Sequence, residues 1–143
     1  MPKLHATGLW ELIALRAATT PDAPMLIEPD GRRWSFGEFA ARAEILSAHL
    51  AANGVRVGSI VTWQMPTSVA AMLVSVALAR LGARQNPVIH LYGKKELLAI
   101  LRQNRSSLFI VPARAERDYL ALAGAVLDEF PEPPALLAFV PDT

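Results

Sequence analysis

The sequence predicts an α/β fold of the doubly wound class, with a mostly parallel sheet, flanking helices and a small N-terminal β-hairpin. The first indication is the alternation of strands and helices from Ile60 onward, which is typical of parallel sheets with helical crossovers. The second is residues 108–111, a continuous apolar run of the kind found in strands buried on both faces. The third is residues 55–87, which contain a buried strand, a nearly all-apolar helix and a short strand after Gly82.

The N-terminal elements come first. Thr7 or Gly8 is expected to cap a helix that ends before Pro21, because the residue preceding a proline leaves the helical region. Residues 25–27 and 33–36 are then short strands joined by a Pro-Asp-Gly-Arg turn, which predicts a hairpin.

The second helix carries the clearest start signal in the chain. Ser35 and Glu38 form the Ser-x-x-Glu pattern of a capping box, in which each side chain accepts a hydrogen bond from a free backbone N–H. Asn53-Gly54 is expected to end this helix, since glycine favours the left-handed conformation found there.

The remaining elements alternate between strand and helix patterns. The strands are predicted at residues 60–64, 83–88, 108–111 and 135–140. The helices are predicted from Thr67 or Ser68 to about Leu81, over 93–105, and over 117–130.

Composition excludes several function classes. A net charge of +1 gives no basic surface for nucleic acid, and the absence of cysteine excludes disulfides and thiolate metal sites. The three histidines are far apart in the sequence, so no metal site is expected. The N-terminus lacks the apolar core of a secretory signal, and a cytoplasmic location is therefore expected.

The chain is unusually apolar for an independent domain of 143 residues: 52% of its residues are hydrophobic and the mean hydropathy is +0.29. The longest apolar stretch, residues 69–81, is too short to cross a bilayer, so no transmembrane segment is expected. These values favour a part of a larger protein, with an apolar surface that self-associates when the partner region is missing.

Several catalytic motifs are absent from the sequence. It contains no G-x-G-x-x-G dinucleotide motif, no Walker-type phosphate loop and no G-x-S-x-G nucleophile elbow. Its carboxylates are scattered singly, so no pair is placed for acid–base work. No catalytic residue and no metal ligand is therefore predicted within the chain.

The order of its motifs resembles the N-terminal region of AMP-forming acyl-CoA synthetases, in the adenylate-forming ligase superfamily. The matching motifs, from Leu9 to Val140, are S-F-G-E-F at 35–39, G-V-R-V-G-S-I-V at 54–61, Pro66-Thr67, Gly82-Ala83 and Asn86-Pro87. Ser59 and Thr67 depart from the family's usual aspartate and asparagine, both at turn or cap positions. The N-P-V-I-H-L-Y run most resembles the branch that activates medium-chain, alicyclic or aromatic acids.

The resemblance implies a two-step reaction, in which a carboxylate attacks ATP to give an acyl-adenylate and the thiol of CoA then displaces AMP. The family's phosphate loop, adenine-binding residues, magnesium-binding glutamate and catalytic lysine lie downstream of the matched region. Residues 1–143 are therefore expected to be the N-terminal subdomain of such a ligase, through truncation or gene splitting. Alone, the chain is expected to be inactive and to bind ATP, Mg²⁺ and CoA only weakly, and its partners are the rest of the ligase and a small carboxylic acid.

Two loops carry the site residues that the resemblance implies. Arg114 and Arg117 follow the strand at 108–111. In some family members, arginines near this place contact the phosphates of CoA. The competing interpretation is that both arginines form solvated ion pairs with Glu116 and Asp118. His90 follows Asn86-Pro87 and would border the CoA or acyl channel, although a surface or capping histidine is the simpler interpretation.

A second hypothesis belongs to a different class: a free-standing, non-catalytic α/β domain that binds a protein or a small molecule. It predicts a compact monomer with an ordinary polar surface, whereas a ligase fragment exposes an apolar face.

Overall fold

The computed structural model describes residues 6–140. In chain order the elements are α1 (Leu9–Thr19), β1 (Pro24–Ile27), β2 (Arg33–Ser35), α2 (Phe36–Ala52), β3 (Ile60–Gln64), α3 (Val69–Arg80), β4 (Arg84–Val88), α4 (Lys94–Asn104), β5 (Leu108–Pro112), α5 (Tyr119–Leu127) and β6 (Ala135–Phe139). They form two compact units. One contains the described residues up to Val57 together with Ser68–Gly82, and the other contains Gly58–Thr67 and the described residues from Ala83 onward.

The first unit combines the β1–β2 hairpin with helices α1, α2 and α3. The two strands pair antiparallel, as the turn signal predicts. The predicted capping box opens α2: Glu38 N donates to Ser35 Oγ at 3.1 Å, and Ser35 N donates to Glu38 Oε2 at 2.9 Å. These two bonds hold the backbone at the point where the hairpin turns into the helix.

Helix α3 is the most deeply buried helix of this unit. Ser68 caps it by accepting a hydrogen bond from Ala71 N at 3.2 Å. Its buried side chains are Ala70, Ala71, Leu73, Val74, Val76, Ala77 and Leu78. This confirms that the apolar run after Thr67 is a core helix.

The second unit is built on a four-stranded sheet in the order β4-β3-β5-β6, and all three strand pairs are parallel. Phe109 and Val111 of β5 belong to one buried cluster with Leu97 of α4 and Val126 of α5. The parallel sheet, the helices and the small hairpin confirm the predicted α/β class.

A buried polar network ties the C-terminal end of α4 to the sheet. The Thr62 hydroxyl lies within hydrogen-bond distance of the Ser106 hydroxyl and accepts from Asn104 Nδ2 at 2.9 Å. Asn104 Oδ1 in turn accepts from Ser106 N at 3.0 Å and from Ser106 Oγ at 2.8 Å. Arg105, which follows Asn104, ends α4 in the left-handed conformation (φ 54°) that glycine usually adopts at this position.

One predicted boundary bears on function. The helix predicted over 117–130 spans only Tyr119–Leu127, so Arg114 and Arg117 lie in the preceding loop and do not begin the helix. Asp118 is the residue that caps α5, because its Oδ1 accepts a hydrogen bond from Ala121 N at 2.9 Å. A capping aspartate satisfies a free N–H at the helix start, which explains why the helix begins after the arginines.

Candidate functional site

The candidate site lies at the carboxyl edge of the parallel sheet, where open α/β sheets bind their ligands. Two loops meet there: residues 89–93, which follow β4, and residues 113–118, which follow β5. The structure therefore places His90 in one loop and Arg114 and Arg117 in the other.

Arg117 joins the two loops. Its Nη1 donates a hydrogen bond to the backbone oxygen of His90 at 2.7 Å. The hydroxyl of Tyr119 lies 3.4 Å from the same oxygen, and the Arg117 guanidinium lies 5.6 Å from the centre of the Tyr119 ring. A charged donor is stronger than a neutral one, so Arg117 fixes the position of His90 in the loop.

Gln64, the last residue of β3, holds the same loop from the sheet. Its Nε2 donates to the backbone oxygens of Ile89 at 3.1 Å and Tyr92 at 3.0 Å. The side chain is 1% exposed, and its Oε1 is buried without a hydrogen-bond partner among the described residues. Because both neighbours are acceptors, the amide nitrogen must face them, and this orientation leaves the oxygen unpaired.

The loop after β4 ends on a fixed helix start. Glu96 Oε2 accepts a hydrogen bond from Gly93 N at 3.0 Å. Hydrogen bonds from the backbone N–H groups of Glu96 and Gly93 lower the pKa of the Glu96 carboxyl. With Gln64 and Arg117, this contact anchors the loop at both ends and in the middle.

The side chains of His90 and Arg114 are not used in these contacts. Within residues 6–140, the His90 imidazole and the Arg114 guanidinium make no hydrogen bond or ion pair, and Arg114 is exposed. Neither Arg114 nor Arg117 pairs with Glu116 or Asp118 in this range. The described residues thus show no ion pair of the kind that the competing interpretation of the two arginines expects.

The loop after β4 also exposes apolar side chains. Ile89 is 54% exposed and Leu91 is 74% exposed, and Tyr92 lies beside them at the surface. A cation and an apolar surface on neighbouring loops suit a ligand that carries both an anionic group and an apolar part.

The described residues were also searched for clusters of side chains that could hold a metal ion. No three His, Asp or Glu side chains among residues 6–140 come together as a metal would require.

Of the residues that meet at the loop after β4, the sequence singles out His90 and Arg117 but not Gln64 and Tyr119. Gln64 had a detectable signal: it is a polar side chain at the carboxyl end of a largely apolar strand. Tyr119 had none, because an aromatic residue at a helix start is usually a core residue, and Tyr119 is indeed buried.

Comparison with known proteins decides the family. The family model for AMP-binding enzymes matches residues 13–138, which is most of the chain. The chain belongs to the AMP-binding enzyme family. The matched range includes the sequence motifs between Ser35 and Pro87.

Relatives of this AMP-binding chain include CoA ligases and peptide synthetases. It is 31% identical over 134 residues to the 2-hydroxy-7-methoxy-5-methyl-1-naphthoate–CoA ligase of Streptomyces carzinostaticus, covering 88% of this chain and 24% of the relative. It is 31% identical over 119 residues to malpinin synthetase of Mortierella alpina, covering 83% of this chain and 2% of the relative. The chain thus spans at most about a quarter of the length of these two relatives.

Solved structures share the fold. A proposed long-chain-fatty-acid CoA ligase from Rhodopseudomonas palustris superposes with a TM-score of 0.81 at 25% identity, over 96% of this chain and 34% of that one. The anthranilate CoA ligase AuaEII, solved with anthranoyl-AMP, also gives a TM-score of 0.81, at 20% identity over 92% of this chain and 25% of that one. The second similarity concerns the fold alone.

None of the five helices in the described range combines the length and apolar character needed to cross a lipid bilayer.

Proposed function

We propose that the chain is the N-terminal part of an ATP-dependent ligase that joins a small carboxylic acid to CoA through an acyl-adenylate. The observation that carries the proposal is the family match over residues 13–138. The naphthoate–CoA ligase relative and the CoA ligase folds support thioester formation as the second step. A cytoplasmic location, where ATP and CoA are available, is part of the proposal.

In this proposal the two loops at the sheet edge serve the CoA side of the reaction. Arg114 is exposed and makes no ion pair or hydrogen bond within residues 6–140, so it can bind a phosphate of CoA. Arg117 already holds the His90 carbonyl and so positions the loop. Its remaining N–H groups contact a phosphate of CoA in this proposal. His90 then borders the acyl or CoA passage.

ATP and Mg²⁺ would be bound by the rest of the ligase. No described side chains form a metal site, and the sequence has no phosphate loop. The purified 143-residue chain should therefore show no ATP–pyrophosphate exchange with medium-chain, alicyclic or aromatic acids. Exchange above the rate of a no-enzyme control would contradict the assignment as an inactive fragment.

The coding sequence after the Thr143 codon provides a direct test of the ligase assignment. It should encode a Ser/Thr/Gly-rich loop that ends in Pro-Lys-Gly. The longer product should then form an acyl-adenylate and, with free CoA, a thioester detectable by mass spectrometry. Adenylate formation without any CoA thioester would contradict the CoA part of the proposal and support only the adenylation step.

The competing function is a free-standing binding domain without catalysis. The exposed apolar residues of the loop after β4 count against it, because such a domain should present a polar surface. Light scattering and binding of a hydrophobic dye separate the two. A monomer at high concentration with no dye response would favour the binding domain.

A further inference from the structure

A cleft of about 320 Å³, the arginine cleft, lies in the first unit between the β1–β2 hairpin and α2. The helix contributes Glu38, Ala41, Arg42 and Ile45, which recur at helical spacing and therefore lie on one face. The hairpin contributes residues 32–34, which are Arg-Arg-Trp. Other positions of α2 supply its buried side, so the arginine cleft is on the solvent side of the helix.

Positive charge dominates the lining of the arginine cleft, which has three arginines and one carboxylate. The carboxylate belongs to Glu38, and its Oε2 accepts the Ser35 N–H of the capping box. Arg33, by contrast, is exposed, and its guanidinium makes no hydrogen bond or ion pair within residues 6–140. An arginine without an internal partner is available to an anionic group from outside the chain.

The hairpin holds its side of the arginine cleft in a defined position. Trp34, which is 7% exposed, donates a hydrogen bond from Nε1 to Glu28 Oε1 at 2.7 Å. The Arg32 guanidinium lies 4.5 Å from the centre of the Trp34 ring, and its Nε lies 3.9 Å from the same Glu28 oxygen. These contacts keep the charge of Arg32 over the indole, so little ordering is needed when a ligand binds.

Exposed aliphatic side chains accompany the arginines. Ile45, in the lining, is 53% exposed, and Ile27 is 63% exposed. Ile27 lies opposite Arg33 in the register of the hairpin, and the side chains of such cross-strand neighbours lie on the same face. Ala41 is also exposed, and its short side chain leaves room above the helix. Arginine beside exposed aliphatic groups suits a ligand that carries both carboxylates and an apolar side chain.

We propose that the arginine cleft binds an acidic segment of a partner protein, with carboxylates on Arg33 and Arg42 and an aliphatic side chain above Ala41. The charge of the lining favours this occupant, because clusters of arginine recognise acidic motifs. A lipid surface suits the arginine cleft less well, since its aromatic side chain, Trp34, is buried and does not reach a bilayer. The inference goes beyond the proposed ligase function, because it uses no residue of the two loops at the sheet edge.

Fluorescence anisotropy on the 143-residue chain tests the proposal with a short labelled peptide in which pairs of glutamates alternate with single leucines. The chain should bind this glutamate peptide, and should bind the same peptide with glutamine for glutamate at least about tenfold more weakly. Added salt should also weaken binding of the glutamate peptide, because salt screens exposed charges. No binding of the glutamate peptide, or equal binding of the two peptides, would overturn the inference.

A charge reversal locates the binding in the arginine cleft. Arg33→Glu replaces an arginine without an internal partner, and should weaken binding of the glutamate peptide at least about tenfold. Arg84→Glu is the matched control, because it makes the same charge change at an exposed strand position of the second unit. Its affinity should stay within about threefold of the wild type. Equal losses for the two variants would assign binding to net charge alone and overturn the inference.

A second substitution tests the shape of the arginine cleft without changing its charge. Ala41→Tyr fills the space above α2, and should weaken binding of the glutamate peptide at least about fivefold. Ala48→Tyr, at an exposed position of α2 outside the lining, should bind like the wild type. Both positions are exposed, so the Tm of each variant should stay within a few degrees of the wild type. Undiminished binding by Ala41→Tyr would show that the peptide binds elsewhere.

Cosedimentation with vesicles of equal parts phosphatidylcholine and phosphatidylserine distinguishes a lipid surface from a protein segment. The wild type should bind these vesicles no better than Arg33→Glu does. Vesicle binding that Arg33→Glu abolishes, in a chain that does not bind the glutamate peptide, would identify an anionic membrane as the occupant and overturn the inference.

Discussion

The guanidinium of Arg117 donates a 2.7 Å hydrogen bond to the backbone oxygen of His90, although the two residues belong to loops that follow different strands. This contact links the ends of β4 and β5 at the edge where a ligand would bind. It also divides the two arginines of the second loop by role, since Arg117 has an internal partner and Arg114 has none among residues 6–140.

Replacing Arg117 should destabilise the fold locally. Arg117→Ala removes a charged donor from a half-buried carbonyl, so the free energy of unfolding should fall by about 1–2 kcal/mol. Urea unfolding measures the change. Arg114→Ala is the matched control and should stay within about 0.5 kcal/mol of the wild type. Equal effects of the two substitutions would contradict the division of roles.

Gln64 should be more important for stability than an exposed glutamine. Gln64→Leu leaves the carbonyls of Ile89 and Tyr92 without their donor, and should lower the free energy of unfolding by about 2–4 kcal/mol. Gln103→Leu, on the exposed face of α4, is the control, with a change below about 0.5 kcal/mol. A neutral Gln64→Leu would show that losing the unpaired Oε1 offsets the two lost bonds.

The capping box should make stability depend on pH. Hydrogen bonds from Ser35 N–H and the Ser35 side chain lower the pKa of Glu38 in the folded chain. A lowered folded-state pKa means that this contribution is present above the unfolded-state pKa and is lost as pH falls through the folded-state pKa. The Tm advantage of the wild type over Glu38→Gln should therefore be constant near neutral pH and shrink as the pH falls through the acidic range.

Ser35→Ala tests the other half of the capping box. It removes the acceptor of the Glu38 N–H and should cost about 1 kcal/mol in chemical unfolding at neutral pH. Ser35→Asp keeps an acceptor and should recover most of that loss. Failure of the aspartate to recover stability would indicate that packing, and not capping, is the role of Ser35.

Thr62 is predicted to stabilise the junction between the sheet and α4. Thr62→Val keeps the shape of the side chain but deprives Asn104 and Ser106 of a buried partner, so we expect a loss of about 1–3 kcal/mol. Thr19→Val, at an exposed helix end, is the control. A calorimetric Tm unchanged by Thr62→Val would mean that the Asn104 amide and the Ser106 hydroxyl meet their hydrogen-bonding needs without Thr62.

The sequence predicted the elements whose signals are local. The capping pattern at Ser35 and the apolar run after Thr67 each determine a helix start through neighbouring residues, and the structure confirms both. Helix α5 begins two residues later than the sequence pattern predicts, because Asp118 caps it. The Gln64 and Arg117 contacts join residues far apart in the chain, so no local pattern could predict them.

The strand order of the sheet also affects how the chain folds while it is being synthesised. β3 is a central strand, yet Val61 pairs with Leu108 of β5, and β6 joins later still. At typical translation rates, β3 and the apolar α3 emerge from the ribosome seconds before that partner exists. Non-local parallel pairing is also intrinsically slow. We therefore expect the nascent chain to depend on chaperones during this interval, and mutations that slow strand pairing to reduce its yield in cells more than its stability once folded.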